Sequence, residues 1–348
     1  MAFTISQNDG RDIGWGILGC GDVCEVKGGP NALNQPGSRV VHVMRRTAGR
    51  AEDFARRHDV PRWSDSVDAV LDDPAVDAVH IATPPGSHCE LALRCAAAGK
   101  PLLVEKPMAR SAAECKRMCA AFEAAGLPLW VAYYRRCLPR WVRVKQLIDD
   151  GELGTLTHVD YRMTRRHRPQ RQTEWRMQAE QSGGGLILDL GSHLLDLLDH
   201  LLGPLDNVAG DARNHSDNAV EDSVCMSFLA RDCLGTATWN FAGSVMEDVL
   251  TLTGTQGRIT VSCFGTEPFS LQHGDKARLI AEPTPSAVQR PLTTTIVHDL
   301  RTGEQTCPST GRSALRTNAV IDAVLDRFYA GRSDSFWERL NRVAEQRS

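Results

Sequence analysis

Residues 13–132 alternate short apolar runs with stretches of helix formers, several of the joins marked by glycine or proline. The apolar runs lie at 13–18, 39–44, 79–82, 102–104 and 129–132. Helical stretches occur at 48–58, at 88–98 closed by Gly99, and at 111–125 closed by Gly126, glycine being a usual helix stop. Strands joined through helices pair in parallel, and the helices then cover both faces of the sheet. The expected fold class is α/β, opening with a doubly wound parallel sheet.

After a helix at 139–150 the alternation ends. Runs at 155–163, 223–230, 235–242, 249–254 and 258–263 read as strands. The last four follow one another without helices between them, which indicates an antiparallel sheet. Helices at 313–329 and from about 335 close the chain, and the basic stretch 165–171 is expected to be a mobile loop. At 348 residues the chain exceeds the usual single-core size. Two domains are expected, at 13–134 and 135–348, behind a loose polar leader at 1–12.

The first strand runs into Gly19-x-Gly21-x-x-Cys24. Gly-x-Gly alone is a weak signal, but after a buried strand that opens an alternating series it points to a dinucleotide. Glycines let the backbone approach a pyrophosphate, whose charge a helix N-terminus favours. Cys24 stands where a third small residue belongs and is small enough for close helix-to-strand contact. NAD-preferring sites place an acid about 20 residues further on, to hold the ribose hydroxyls. Here the second run ends Met44-Arg45-Arg46-Thr47, without an acid. Two arginines there suit a 2′-phosphate, which guanidinium groups hold through paired hydrogen bonds; the alternative is a solvated basic strand end. NADP is expected over NAD.

Behind Gly183-Gly184-Gly185 stand Asp189 and His193. A carboxylate and an imidazole four residues apart on a helix lie one above the other and can share a proton. Far upstream, Lys106 of Glu105-Lys106-Pro107 follows the apolar run 102–104. Taken singly, these are a surface helix pair and a solvated loop lysine. Together, behind a nucleotide-binding start, they suit proton transfer to or from an alcohol or carbonyl oxygen. A metal-dependent hydrolase built on Asp189, His193 and His200 is set aside, because that ligand set is incomplete and no His-Glu-x-x-His pattern occurs.

A net charge of −3 gives no general attraction to nucleic acid or to an anionic membrane. No apolar run approaches the roughly 20 residues of a membrane span, and the opening residues lack the order of a secretory signal. The eleven cysteines contain no Cys-x-x-Cys pair, and Cys115 and Cys119 fall inside a helical pattern. Cys20, Cys95 and Cys225 stand singly in apolar settings and read as reduced core residues. A cytoplasmic protein without a metal site is expected.

Five motifs carry a resemblance to the Gfo/Idh/MocA oxidoreductase family, the group of glucose-fructose oxidoreductase and inositol dehydrogenase. They are Gly16-Ile17-Leu18-Gly19-Cys20-Gly21, Ala82-Thr83-Pro84-Pro85-Gly86-Ser87-His88, Glu105-Lys106-Pro107, Arg135-Arg136, and Gly183-Gly184-Gly185-x-x-x-Asp189-x-Gly191-x-His193. They keep the family's order across residues 13–260, and the region 289–325 also resembles a subgroup of it. The resemblance implies an N-terminal Rossmann domain and a C-terminal α/β domain with a large open, mostly antiparallel sheet. The outer face of that sheet commonly makes homodimers or homotetramers.

The same resemblance implies residue roles. Gly19, Gly21, Asp22, Val23, Arg45, Arg46, Thr83, Pro84, His88, Glu105 and Lys106 would hold the dinucleotide. Lys106 would also touch substrate, Asp189 would bind a substrate hydroxyl, and His193 would exchange the proton. Tyr134 and Arg135 fall where family members line the sugar pocket. Trp175 and Arg176 would come from a loop over it; a tryptophan face suits the apolar side of a sugar, and a packed loop anchor is the alternative. The implied function is an NADP-dependent oxidoreductase acting on a secondary alcohol or carbonyl of a sugar, polyol or cyclic diol. The alternative is a non-catalytic dinucleotide-binding sensor of the same fold.

Overall fold

The computed structural model describes residues 3–5, 11–167, 174–216 and 219–329. The chain divides into two compact units. The first comprises Met1–Ala109, Glu114–Leu138 and Pro285–Ala314; the second comprises Arg110–Ala113, Pro139–Thr284 and Leu315–Ser348.

The first unit opens with β1 (Ile13–Leu18), α1 (Pro30–Leu33), β2 (Ser38–Met44), α2 (Ala48–Arg57), β3 (Arg62–Ser64) and α3 (Val67–Leu71). It continues with β4 (Ala78–Ile81), α4 (His88–Ala97), β5 (Leu102–Val104), α5 (Ala112–Ala125), which belongs to this unit from Glu114 on, and β6 (Leu129–Val131). Its strands are parallel in the order β3-β2-β1-β4-β5-β6. Every residue of β1, β4, β5 and β6 is buried, as a sheet covered on both faces requires. The strand order reverses between β1 and β4, and in open α/β sheets ligands bind outside the strand ends at that point.

The second unit contains α6 (Pro139–Asp149), β7 (Leu156–Arg166), α7 (Ala179–Ser182), α8 (Ser192–Leu202), β8 (Leu205–Arg213), β9 (Ser223–Ala230) and β10 (Cys233–Gly243). β11 (Glu247–Gly254), β12 (Arg258–Val261), β13 (Phe269–His273) and β14 (Lys276–Ile280) follow. The sheet order is β14-β13-β12-β11-β7-β10-β9-β8, with β7 and β10 parallel and the other described pairs antiparallel. One face is covered and the other open, so residues alternate. In β10, Ala237, Trp239 and Phe241 turn inward while Thr236, Thr238 and Asn240 are exposed. The same alternation corrects one expectation: Cys225 is exposed, because Val224 and Met226 occupy the inward parity of β9. Cys20 and Cys95 are buried as expected.

A second correction concerns the basic stretch. Arg165 and Arg166 are the last residues of β7 and not part of a loop, because the β7 pairing with β10 continues to Arg166. Residues 168–171 of that stretch, and the helix expected from about 335, lie outside the described residues.

The segment Pro285–Ala314 belongs to the first unit and carries α9 (Arg290–Thr302). The Thr293 hydroxyl donates to the Ala32 carbonyl at 2.8 Å, and Gln289 Nε2 donates to Glu105 Oε1 at 2.7 Å. Within the expected leader, Ile5 N donates to the Leu300 carbonyl at 2.9 Å. Helix α10 (Gly311–Tyr329) begins in the first unit and ends in the second. No described helix is long and apolar enough to cross a membrane.

Candidate active site

In the first unit, the chain leaves β1 through Gly19 at φ +94°. A Cβ there would lie 2.6 Å from Thr83 Cγ2 and 3.0 Å from Thr83 N. The ends of β1 and β4 approach this closely only because position 19 has no side chain. Gly21 N donates to the Gly19 carbonyl at 2.8 Å and tightens the turn, while a Cβ on Gly21 would meet only that carbonyl, at 4.0 Å. The backbone therefore presents an open cradle at the switch point, which fits a pyrophosphate.

Cys24 is wholly buried, its Sγ lies 3.8 Å from the Gly19 carbonyl, and burial pushes its thiol well above the ordinary range. It serves as packing under the turn. The helix that follows is irregular, a π-helical turn at Cys24–Gly28 and then α1. Asp22 is exposed and Val23 half-buried.

Arg45, at the end of β2, is half-buried and donates from Nη1 to the Cys20 carbonyl at 3.3 Å. Arg46 is exposed. Neither pairs with a carboxylate among the described residues. Beyond the turn, Glu25 is taken by Arg57 at 2.6 Å and His58 at 2.8 Å, and the Arg57 hydrogen bond holds its carboxyl down at about 2.

After β4, the Thr83 hydroxyl accepts from Ser87 Oγ at 2.7 Å, and the Pro84 carbonyl accepts from Ser87 N at 3.1 Å. His88 is wholly buried, with Nε2 2.7 Å from the Thr83 carbonyl and Nδ1 3.1 Å from the Pro107 carbonyl. Its ring ties the Thr83 turn to the segment after Lys106. Glu105 is also turned inward: Oε1 accepts from Gln289 and Oε2 from Lys106 N at 3.2 Å, and burial raises its carboxyl. Its neighbour His80 is held neutral by burial, down at about 3. Their 3.9 Å approach is therefore a contact of polar groups rather than an ion pair. Lys106 itself is half-buried. Tyr134 and Arg135 begin a short 3-10 turn, where Arg135 Nη1 donates to the Tyr134 hydroxyl at 3.0 Å.

In the second unit, the glycine run is explained by two close approaches. Gly183 ends α7 at φ +87°, and a Cβ there would lie 2.7 Å from Arg110 Cα. Gly185 N donates to Glu221 Oε1 at 2.7 Å, and a Cβ on it would lie 2.4 Å from the Glu221 carbonyl. This anchors the segment that carries Asp189. That segment, Ile187–Gly191, is a π-helical turn and not the regular α-helix expected, and it runs straight into α8. Such wide turns recur at functional sites.

Asp189 Oδ2 accepts from Arg176 Nε at 3.1 Å, and the Arg176 guanidinium lies 4.4 Å from the Trp175 ring centre. His193, second residue of α8, is buried and meets the Phe264 ring edge-on at 5.8 Å. A cavity of about 400 Å³ is lined by Asp189 and Arg176 together with Arg165, Glu221, Asp222 and Phe241. The structure thus brings Trp175, Arg176 and Asp189 together within this unit. Sequence reasoning missed Arg165, Glu221, Asp222, Phe241 and Phe264. For Arg165 a signal was present: it continues the inward parity of Val159, Tyr161 and Met163 along β7.

Residues 13–133 match the model of an oxidoreductase family with an NAD-binding Rossmann fold, and residues 141–260 match the GFO/IDH/MocA C-terminal domain. An oxidoreductase of Formosa agariphila is 33% identical over 284 residues, covering 80% of this chain and 88% of the relative. Trans-1,2-dihydrobenzene-1,2-diol dehydrogenase of Mus musculus is 34% identical over 180 residues, which is 51% of this chain and 52% of that enzyme. Levoglucosan dehydrogenase, solved with NADH and levoglucosan, shares the fold with a TM-score of 0.81 at 20% identity, over 91% of this chain and 97% of that one. Matched in both halves, and along most of a relative's length, the chain belongs to the Gfo/Idh/MocA oxidoreductase family.

Proposed function

We propose that the protein is an NADP-dependent oxidoreductase that transfers hydride between nicotinamide and a secondary alcohol or carbonyl of a sugar, polyol or cyclic diol. The observation that carries this reading is Arg45, laid against the Gly19 turn at the end of a strand that lacks any acid. Gly19, Gly21, Asp22 and Val23 receive the pyrophosphate, and Arg45 with Arg46 takes the 2′-phosphate. Thr83 and Pro84 form the wall across the switch point; His88 holds the Thr83 carbonyl, and Glu105 holds the Lys106 backbone.

When bound, the nicotinamide supplies or accepts the hydride. In oxidation, an imidazole nitrogen of His193 removes the hydroxyl proton. Lys106 Nζ, as an ammonium, stabilises the oxygen as it becomes anionic. Asp189, fixed by Arg176, orients the substrate hydroxyl. In reduction His193 or Lys106 returns the proton. Tyr134, Arg135 and Trp175 complete the substrate contacts. The names of the diol and levoglucosan dehydrogenases support small cyclic alcohols as the substrate class. A homodimer or homotetramer would use the open face of the eight-stranded sheet, where Leu234 is exposed. A cytoplasmic location suits eleven free cysteines.

The test is an absorbance screen at the reduced-nicotinamide band, with NADP⁺ and NAD⁺ against sugars, polyols and cyclic diols. Turnover with NADP⁺ on a member of the panel is expected. Tight NADPH binding without turnover on any member would replace the enzyme by a sensor.

A further inference from the structure

We propose that the second unit's cavity binds an oxyanion carried by the substrate, so that the preferred substrate is a sugar or polyol bearing a carboxylate or phosphate rather than a neutral one. This rests on the reading above that Asp189 and His193, in the second unit, address the substrate.

Five observations lead there. Arg165 lies on the core-facing parity of β7, after Val159, Tyr161 and Met163, where an apolar side chain is the ordinary occupant. Its Nε is buried and has no hydrogen-bond acceptor among the described residues, a state that costs free energy until an acceptor arrives. Arg166 lies beside it on the cavity wall.

The cavity's carboxylates do not supply that acceptor. Glu174, Asp189, Glu221 and Asp222 all line the space, yet none pairs with Arg165 or Arg166. Asp189 takes Arg176; Glu221 accepts from Gly185 N at 2.7 Å and from the Tyr329 hydroxyl at 2.6 Å; Asp222 accepts from His215 N at 3.0 Å. Among the described residues neither guanidinium is therefore paired with a carboxylate, and guanidinium is the side chain best shaped for carboxylate or phosphate.

Lastly, one ring links this charge to the proton-handling group. The Arg165 guanidinium lies 5.6 Å from the centre of Phe264, whose ring also meets His193. An oxyanion held by Arg165 would sit a few bonds from the carbon whose hydroxyl His193 addresses.

The experiment compares matched compounds: D-glucose, D-gluconate, D-glucuronate and D-glucose 6-phosphate. Each is measured by NADP⁺ reduction and, separately, by calorimetric binding to the wild-type protein. At least one charged member is expected to bind tenfold or more tightly than glucose, with the gap shrinking in salt. Preference for an acid assigns carboxylate, and preference for the 6-phosphate assigns phosphate. Arg165→Met should raise the favoured compound's Kd at least tenfold while leaving that of glucose within twofold, and Arg165→Lys should restore part of it. Equal binding of charged and neutral members by the wild type overturns the inference whether or not the variants fold, as does binding by none of the charged members. Turnover of glucose alone would overturn it while sparing the oxidoreductase reading. Arg165-dependent binding of an acid without any turnover would uphold it and remove that reading instead.

Discussion

Replacing Arg45 by aspartate separates the two cofactors by their one chemical difference. A 2′-phosphate carries roughly −1.5 to −2 charge near neutral pH. One charge-assisted hydrogen bond contributes about 1.5–3 kcal/mol. Because Arg45 is half-buried rather than enclosed, solvent screening favours the lower end, about 1.5–2 kcal/mol. An introduced carboxylate adds repulsion of up to about 1 kcal/mol. At about 1.4 kcal/mol per tenfold, NADPH should weaken by about ten- to a hundredfold. NADH makes no such contact, and the new carboxylate can accept from its ribose hydroxyls, so its affinity should hold or improve. Arg45 donates to the Cys20 carbonyl at 3.3 Å, the weak end of the range, so the variant should fold with near-normal stability. Fluorescence titration of both cofactors at low and high salt measures the effect, with salt weakening NADPH more than NADH in the wild type. Wild-type protein that binds NADH as tightly as NADPH, or a variant that weakens both alike, would refute the reasoning.

Lys106→Met removes a charge that matters most as the oxygen becomes anionic, so turnover should fall by about a hundredfold or more while NADPH binding partly survives; near-normal turnover ends the assignment. His193→Asn should lower the oxidation rate and abolish the loss of rate that acid causes by protonating the imidazole; an unchanged pH profile means another group titrates. Gly19→Ala places a Cβ 2.6 Å from Thr83 Cγ2 at φ +94°, and should cost about 2 kcal/mol in denaturant unfolding together with most of the cofactor affinity. Burial lowers His80 from 6.5 to about 3, so the unfolded chain takes this proton first on acidification. Stability that is fully present above about 6.5 is lost toward pH 3 by up to about 1.4 kcal/mol per pH unit for this proton, and a foldable His80→Gln variant should show a shallower slope than the wild type.

Much of the first unit is legible in the sequence because its strands are buried on both faces: β1, β4, β5 and β6 stand out as unbroken apolar runs. The elements that escape are those without such a run. β3 is three residues with Arg62 and Trp63 exposed, and most of β14 is exposed. β8 buries only Leu205 and Ala212. α9 hides behind Thr293-Thr294-Thr295, β-branched residues of low helix propensity, and only Pro291 in its first turn and Gly303 after its end mark it. The site divides in the same way. Gly19 and Gly183 are legible because the backbone conformation leaves room for little else. The Arg176–Asp189 pair and the Phe264–His193 contact do not follow helix or strand spacing, and local pattern carries no record of such meetings.

Hydride transfer is tested most directly with an isotope. A substrate found in the absorbance screen, deuterated at its carbinol carbon, is oxidised with NADP⁺, and the reduced cofactor is examined by mass spectrometry and proton NMR. One deuterium per cofactor, on one face of the nicotinamide ring, is expected. Reduced cofactor that forms without deuterium would contradict direct transfer between substrate and nicotinamide.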